Sequence, residues 1–152
     1  MAEQFEIKGP WNHSQVEGYL HNTNWPLRLA CVGSDGFPRV VSIWYRYRDS
    51  CFFCVTHRES KLAALLKNNR KVGFEVSPNE PPYYGVRGQG LASLHEEGAD
   101  AMLHSHLQHY LGGTSSSLAR WLLSRAQDEL LIRVEPVRMF TWDYRERMTV
   151  SD

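Results

Sequence analysis

Two strand-like runs, residues 39–48 and 51–56, are separated by only Asp49-Ser50, and the second leads directly into a polar corner, Thr56-His57-Arg58-Glu59-Ser60-Lys61, that opens a helix over residues 61–69. A two-residue connection joins antiparallel strands and nothing else, because a parallel crossover needs a dozen residues or more. The chain is thereby committed to an antiparallel sheet with helices set at strand ends. The corner carries chemistry of its own. The first turn of a helix leaves backbone N–H groups unpaired and carries partial positive charge, so an anion is stabilised there. Thr56 and Ser60 add hydroxyl donors, Arg58 and Lys61 add fixed positive charge, and Arg39 can arrive from the neighbouring strand. His57 is the one histidine near this corner and reads as a ligand before a catalyst. Ser60 also has the ordinary reading of a helix N-cap. Basic residues in a first turn nevertheless have the wrong sign for the helix dipole, and that mismatch points to a bound anion such as a phosphate.

The remaining chain extends the same pattern. Residues 13–21 read as a leading helix with Asn12 or His13 at its cap and Val16, Tyr19 and Leu20 on one face, placed to lie across a barrel mouth. Residues 26–33 form a strand, and Ser34-Asp35-Gly36 turns it back into the 39–48 run, with Gly36 supplying the positive φ of the hairpin. A strand over 71–77 follows the helix, then the rigid loop Pro78-Asn79-Glu80-Pro81-Pro82 and extended chain over 84–95. Helical periodicity returns over 99–111, where Leu103, Leu107, Tyr110 and Leu111 share a face, and Ser115 to Ser117 can cap a further helix bearing Leu118, Trp121 and Leu122. Two last strands, 130–135 and 137–144, are expected on either side of Pro136. These parts make six or seven strands with inserted helices, a mainly β (α+β) antiparallel barrel with peripheral helices.

Composition narrows the function classes. The 152 residues are one domain's worth, read as an arm and helix over 1–24 and a barrel over 26–144 with a helical insertion over 98–126. Seventeen basic residues balance seventeen acidic ones, so no overall positive field argues for nucleic acid. The first six residues lack the basic-then-apolar pattern of a secretion signal, and no apolar run nears the ~20 residues of a membrane span. Three cysteines is an odd number for a disulfide framework. A cytoplasmic protein without nucleic-acid or membrane partners is the expectation.

The order of these parts resembles the pyridoxamine 5′-phosphate oxidase-like family, the flavin-binding split barrels, over residues 26–142. The likeness rests on Asp35-Gly36-x-Pro38-Arg39, a strand bearing Ser42 and Trp44, Thr56 through Ser60-Lys61, and Asn69-x-x-Val72. It extends to Arg87-Gly88-Gln89-Gly90-Leu91-Ala92 and the tail from Arg133-Val134-x-Pro136 to Trp142. The resemblance implies a six- to seven-stranded antiparallel split β-barrel that binds FMN and passes hydride or electrons between the flavin and a small-molecule substrate. It implies that Arg39, Ser60 and Lys61 hold the flavin phosphate with Thr56, His57 and Arg58 beside them, and that Val40, Val41 and Ser42 line the ring and ribityl chain. It further implies a homodimer with the cofactor at the subunit interface, where Tyr83, Tyr84, Arg87, Gln89 and Trp142 approach from the partner. Trp44, Tyr84 or Trp142 would form a stacking wall for substrate. Alternation along the strand sets Val40, Ser42, Trp44 and Arg46 on one face and Arg39, Val41, Ile43 and Tyr45 on the other, one of which must be core.

Two departures bear on the activity. The oxidases that give the family its name carry a terminal Arg-x-His that grips the substrate pyridine, whereas this chain reads Trp142-Asp143-Tyr144-Arg145-Glu146-Arg147-Met148. The absence of histidine argues against oxidation of pyridoxamine phosphate itself, and the corner between Thr56 and Lys61 is one residue shorter than in those oxidases. Three alternatives stay open. A deazaflavin (F420)-dependent reductase would draw on Arg46, Arg48 or Arg87 for a longer anionic tail, a non-enzymatic flavin carrier would bind without turnover, and a haem-binding protein would need an exposed axial histidine such as His95 or His109.

Other motifs yield to plainer readings. Cys51 and Cys54 have the spacing of a redox or zinc pair but lie three apart in a strand, on opposite faces, and read as buried small hydrophobes. Of His104, His106 and His109 only the last two share a helix side, and a solvated face is expected in place of a metal site. Gly85-x-x-Gly88-x-Gly90 lacks dinucleotide-fingerprint spacing and reads as strand glycines at a bulge or close approach. No nucleophile-elbow spacing supports a hydrolase, and no side chain stands out as a catalytic acid or base.

Overall fold

The structure, a computed structural model, describes residues 5–148; the N-terminal residues read above for a secretion signal begin outside them. The elements in order are β1 (Glu6–Lys8), α1 (His13–Asn22), β2 (Leu27–Val32), β3 (Pro38–Ile43), β4 (Arg46–Arg48), β5 (Cys51–His57), α2 (Lys61–Asn68), β6 (Lys71–Val76), β7 (Tyr84–His95), α3 (Ala99–Leu111), α4 (Ser117–Ser124) and β8 (Glu129–Asp143). Seven strands hydrogen-bond edge to edge in the order β3-β2-β6-β7-β8-β5-β4, each pair antiparallel, while β1 adds an eighth strand parallel to β8. This is the mainly antiparallel barrel with peripheral helices that the sequence predicts, with β1 as an addition.

The barrel closes through a break that periodicity does not reveal. The run 39–48, expected as one strand, divides at Trp44-Tyr45: β3 is one edge of the sheet and β4 the other, so two residues carry the chain across the split. The phenol of Tyr110, from α3, bridges that gap. It accepts from the Tyr45 amide at 3.2 Å and lies 3.3 Å from the carbonyls of Trp25 and Tyr45, and its ring stacks on Trp44 at 5.1 Å and 8°. Backbone groups that leave the ladder need such partners, since an unpaired buried amide costs about as much as a lost hydrogen bond.

The inward face of the sheet is the core. Leu27, Leu29, Val76, Val86, Ile132 and Val134 are fully buried there, and the ring of Phe52 meets those of Tyr45, Tyr47 and Phe74 with centroids 4.8 to 5.5 Å apart. Burial of one such aromatic side chain contributes roughly 1.5–3 kcal/mol. In β3 the inward set is Val41 and Ile43, followed by Tyr45, as alternation requires. Helix α1, held by an Asn12–Gln15 capping box, closes one end with Val16 and Leu20 buried in the same core. A second, smaller core lies outside the sheet, where Leu103, Leu107 and Ala119 of α3 and α4 pack against Trp44, Val55 and Leu122.

Two further sequence expectations are corrected, and a third holds. Residues 130–135 and 137–144 are one strand, β8, because Pro136 pairs with Gly90 across a bulge: Arg138 faces Gln89 and Pro136 faces Gly90, leaving Val137 as the extra residue. A Cβ on Gly90 would stand 2.7 Å from the Glu135 carbonyl, so the bulge needs glycine there. The helix face bearing His106 and His109 is not solvated; His106 is buried, its Nε2 bonded to the Phe53 carbonyl at 3.1 Å, and His109 Nε2 bonds the Thr23 carbonyl at 3.0 Å. Cys31, Cys51 and Cys54 are free and buried, and burial pushes the Cys54 thiol far up, so Cys51 and Cys54 are structural as read.

Candidate functional site

The corner after β5 is built by one side chain's local hydrogen bonding. Ser60 is the N-cap of α2: its Oγ accepts the Ala63 amide at 3.0 Å and lies 2.8 Å from Thr56 Oγ1, which ties the strand end to the helix start. The Ser60 amide reaches back to the His57 carbonyl at 2.9 Å, and the Glu59 amide donates to His57 Nδ1 at 3.1 Å. A ring nitrogen that accepts carries no proton, so neutral His57 keeps its proton on Nε2 and presents a donor. Two first-turn amides, those of Lys61 and Leu62, have no hydrogen-bond partner among the described residues, and the Lys61 ammonium has neither hydrogen bond nor ion pair among them.

The two arginines expected at this corner are engaged elsewhere. Arg58 turns toward the segment between α4 and β8 and the loop before α3, within 3.4 Å of Glu96 and of the Gln127 carbonyl and 4.0 Å from Asp128. Arg39 lies over Gly33 at the hairpin end of β3 and pairs with Asp35 at 3.2 Å, holding that carboxyl below its ordinary range. His57 pairs with Glu129, and a cavity brings Glu129 and Val55 against Ser42, Ile43 and Trp44. Arg39 is three residues, about 10 Å of strand, from Ser42.

Val40 is 67% exposed on the outer face of the sheet, where it lines a groove of about 640 Å³ with Arg28, Gly73, Glu75, Arg87, Gln89 and Phe140. Gln89 accepts from Arg138 at 3.0 Å, and Arg87 lies over the Trp142 ring at 5.4 Å. Val41 points inward to the core. Tyr84 is packed away from this face among Trp11, Tyr19 and Arg145, and Tyr83 is exposed beside it. Trp44 has one face against Tyr110 and belongs to the outer core. The structure thus joins Thr56, His57, Ser60 and Lys61 in one corner, sets Ser42 and Trp44 in a cavity with Val55 and Glu129, and places Val40, Arg87, Gln89 and Trp142 on the outer sheet face.

Glu129 and Arg28 were passed over in the sequence, and His106 and Tyr110 were read only as residues of a helix face. Glu129, the first residue of β8, is 9% exposed; burial pushes its carboxyl up, against the opposing pull of His57 and Arg125. His106 shares its cavity and is pushed down to about 4 by burial. Arg28 bonds Asn79 through Nη2 at 2.8 Å while its Nη1 is buried with no partner, and Tyr110 bridges the split. A glutamate at the polar start of an apolar strand looks like a solvated end; only the overlay of α3 and α4 buries it. Among the described residues no group of three or more His, Cys, Asp or Glu is arranged to hold a metal ion, and no helix is long and apolar enough to cross a membrane.

No protein-family model and no curated protein sequence matches the chain. Solved structures do. A conserved hypothetical protein from Mycobacterium tuberculosis superposes with a TM-score of 0.79 at 20% identity over 98% of both chains. An F420 reductase superposes with a TM-score of 0.69 at 19% identity, over 86% of this chain and 98% of its own. A Listeria innocua protein described as a candidate pyridoxamine 5′-phosphate oxidase gives 0.66 at 15% identity, over 84% and 95%. With the seven-strand path and its split between β3 and β4, these superpositions establish that the chain has the pyridoxamine 5′-phosphate oxidase-like split-barrel fold.

Proposed function

We propose that the protein is an FMN-binding oxidoreductase whose phosphate site is the corner from Thr56 to Lys61. The observation that carries this reading is the uncompensated Lys61 ammonium, set beside two first-turn amides without partners and the hydroxyls of Thr56 and Ser60. These donors suit a phosphate dianion, which accepts several charge-assisted hydrogen bonds at once. His57 Nε2–H adds a neutral donor, and Ser42 and Val40 flank the path along β3 for the remainder of the cofactor. Arg39 and Arg58 contribute to the local field and would have to leave their carboxylates to do more. Bound flavin supplies the hydride and electron chemistry, while the chain binds, orients and shields it.

The same reading includes a homodimer formed through the outer sheet face. Gly73 supports it: a Cβ there would meet Ala30 Cβ at 3.6 Å and the Gly88 carbonyl at 3.7 Å, which are ordinary contacts, so the chain's own packing does not demand glycine. A glycine in mid-strand costs about 0.5–1 kcal/mol relative to alanine, and close approach by a second molecule is a reason to keep it. A deazaflavin in place of FMN is favoured by one observation, the buried and unpartnered Nη1 of Arg28 beside Arg87 in the groove, which suits a longer anionic tail. The haem reading has less support, since His109 Nε2 is taken by Thr23 and His95 Nε2 by Ser93.

Absorption of the purified protein followed by FMN titration tests the proposal. Flavin bands on isolation, or uptake of one FMN per chain at micromolar affinity or tighter, about −8 kcal/mol, is the expected result. Protein that ignores FMN but takes up F420 would replace the cofactor, and protein that takes up neither would remove the proposal. Sedimentation with and without FMN tests the dimer.

A further inference from the structure

We propose that the groove across the outer sheet face binds a flat molecule bearing two carboxylates, one held by Arg28 and the other by Arg87. The two arginines stand on β2 and β7, and Glu75 of β6 lies between them as the cross-strand neighbour of both. That arrangement offers each of them a counter-charge, yet neither takes it. Neither guanidinium has an ion pair among the described residues, and the Glu75 carboxylate accepts instead from the Ser77 hydroxyl at 2.9 Å.

Each arginine is positioned by a neutral partner. Arg28 donates through Nη2 to the Asn79 side chain at 2.8 Å, and Arg87 lies over the Trp142 ring at 5.4 Å. Arg138, a third guanidinium on this face, is likewise held by Gln89 at 3.0 Å. Such contacts fix the direction of a guanidinium and leave its charge free for a carboxylate, the partner its planar fork matches. Arg87 is exposed and hydrated, so its charge alone would say little. At Arg28 the missing partner is costly: Nη1 is buried with no hydrogen bond, and a buried donor left unsatisfied carries the full desolvation penalty. A carboxylate drawn into the groove supplies the acceptor that Arg28 lacks.

The shape of the groove selects what carries the carboxylates. Its floor is Ala30 and Gly73, paired across β2 and β6, which raise nothing larger than a methyl above the sheet, and Val40 and Phe140 stand at its two sides. A space of about 640 Å³ over so flat a floor suits a ring laid on the strands. Strand spacing sets the Cα atoms of Arg28 and Arg87 about 10 Å apart with Glu75 midway, so one central carboxylate would meet Glu75 while two at the ends of a molecule avoid it. A free substrate and the anionic tail of a deazaflavin are both sources of such carboxylates. The site does not depend on the phosphate corner, and it shares the outer face with the proposed dimer.

Terephthalate, a flat ring with a carboxylate at each end, is the probe, titrated calorimetrically into the full-length protein with benzoate and benzylammonium as controls. One terephthalate should bind per chain at about 1 mM or tighter, benzoate about tenfold more weakly, and benzylammonium not measurably. Arg28→Gln and Arg87→Gln should each weaken terephthalate about tenfold or more, the loss of one charge-assisted bond, while Lys61→Ala should leave it unchanged. Glu75→Gln, which keeps the shape of the groove and removes its carboxylate, should tighten binding severalfold, a gain that misfolding cannot produce. Benzoate binding as tight as that of terephthalate, full affinity in either arginine variant, or no gain in Glu75→Gln would overturn the proposal. Failure of terephthalate to bind would also overturn it, and loss of self-association by Arg28→Gln on sedimentation would then give the arginines to carboxylates of a second copy. Repeating the titration with F420 present separates the two sources: displacement of terephthalate supports the site as the seat of the cofactor's tail, and simultaneous binding supports it as the seat of a free substrate.

Discussion

The Lys61 corner and the Glu129 cavity each hold a charge that the chain leaves unpaired, and the two charges mean different things. Lys61 is exposed, so water solvates its ammonium and its lack of a partner costs almost nothing. Its significance rests on what surrounds it, two first-turn amides without partners and the mutually bonded hydroxyls of Thr56 and Ser60. Glu129 is 9% exposed and its carboxyl oxygens keep contact with solvent, so burial pushes the carboxyl up without leaving it an isolated charge. Solvation therefore decides how much an unpaired charge says about function.

The comparison can be broken most forcefully at His106. Its folded-state pKa of about 4 lies below the ordinary value of 6.5, so the unfolded chain binds the proton more readily between the two. The stability that His106 contributes is full above pH 6.5 and is lost as pH falls toward 4, by up to about 3 kcal/mol. Denaturant melts of His106→Gln should lack that part of the acid limb; an unchanged limb would show that the cavity is wetter than its burial indicates. At the corner, Lys61→Ala should weaken FMN by about 1.5–3 kcal/mol in a fluorescence titration, and Arg39→Ala by less, because Arg39 must first leave Asp35. Equal losses would place both residues on the phosphate.

Glu129 has the opposite sign to His106. Its raised folded-state pKa favours the protonated form, so its penalty is absent in acid and grows as pH rises above the ordinary glutamate value. Glu129→Gln should therefore stabilise the free protein at pH 7 and make no difference at pH 4. Destabilisation at both pH values would identify the carboxylate as a packing element. The smallest effect is expected at Gly73→Ala, which should leave the melting of the monomer unchanged or raise its stability by about 0.5 kcal/mol while weakening self-association on sedimentation.

What the sequence could say about the site followed from how local each feature is. The Ser60 cap, the helix after it and the position of Lys61 depend on residues within one turn, and all three stand where the sequence places them. Arg58 and Arg39 were drawn to the corner by charge alone, but their partners, Glu96 and Asp128 for one and Asp35 for the other, compete for the same guanidinium groups. His106 looked solvated because helical periodicity shows which residues share a face and not what covers that face; α3 lays it against β5.

By itself the sequence placed the four helices, most of the strands, the Ser60 cap and the hairpin turn at Gly36, since these rest on backbone preferences and hydrophobic periods that repeat over two to four residues. It also gave the two alternating faces of β3 as the only choices, and the packed core selected Val41, Ile43 and Tyr45. Tertiary structure alone decided where the 39–48 run splits, that Pro136 could be carried inside one long strand, and that Glu129 is buried. Each depends on a partner far away in the chain, Tyr110 for the split, Gly90 for the bulge, and α3 with α4 for the carboxylate. A pattern of near neighbours has no record of such partners.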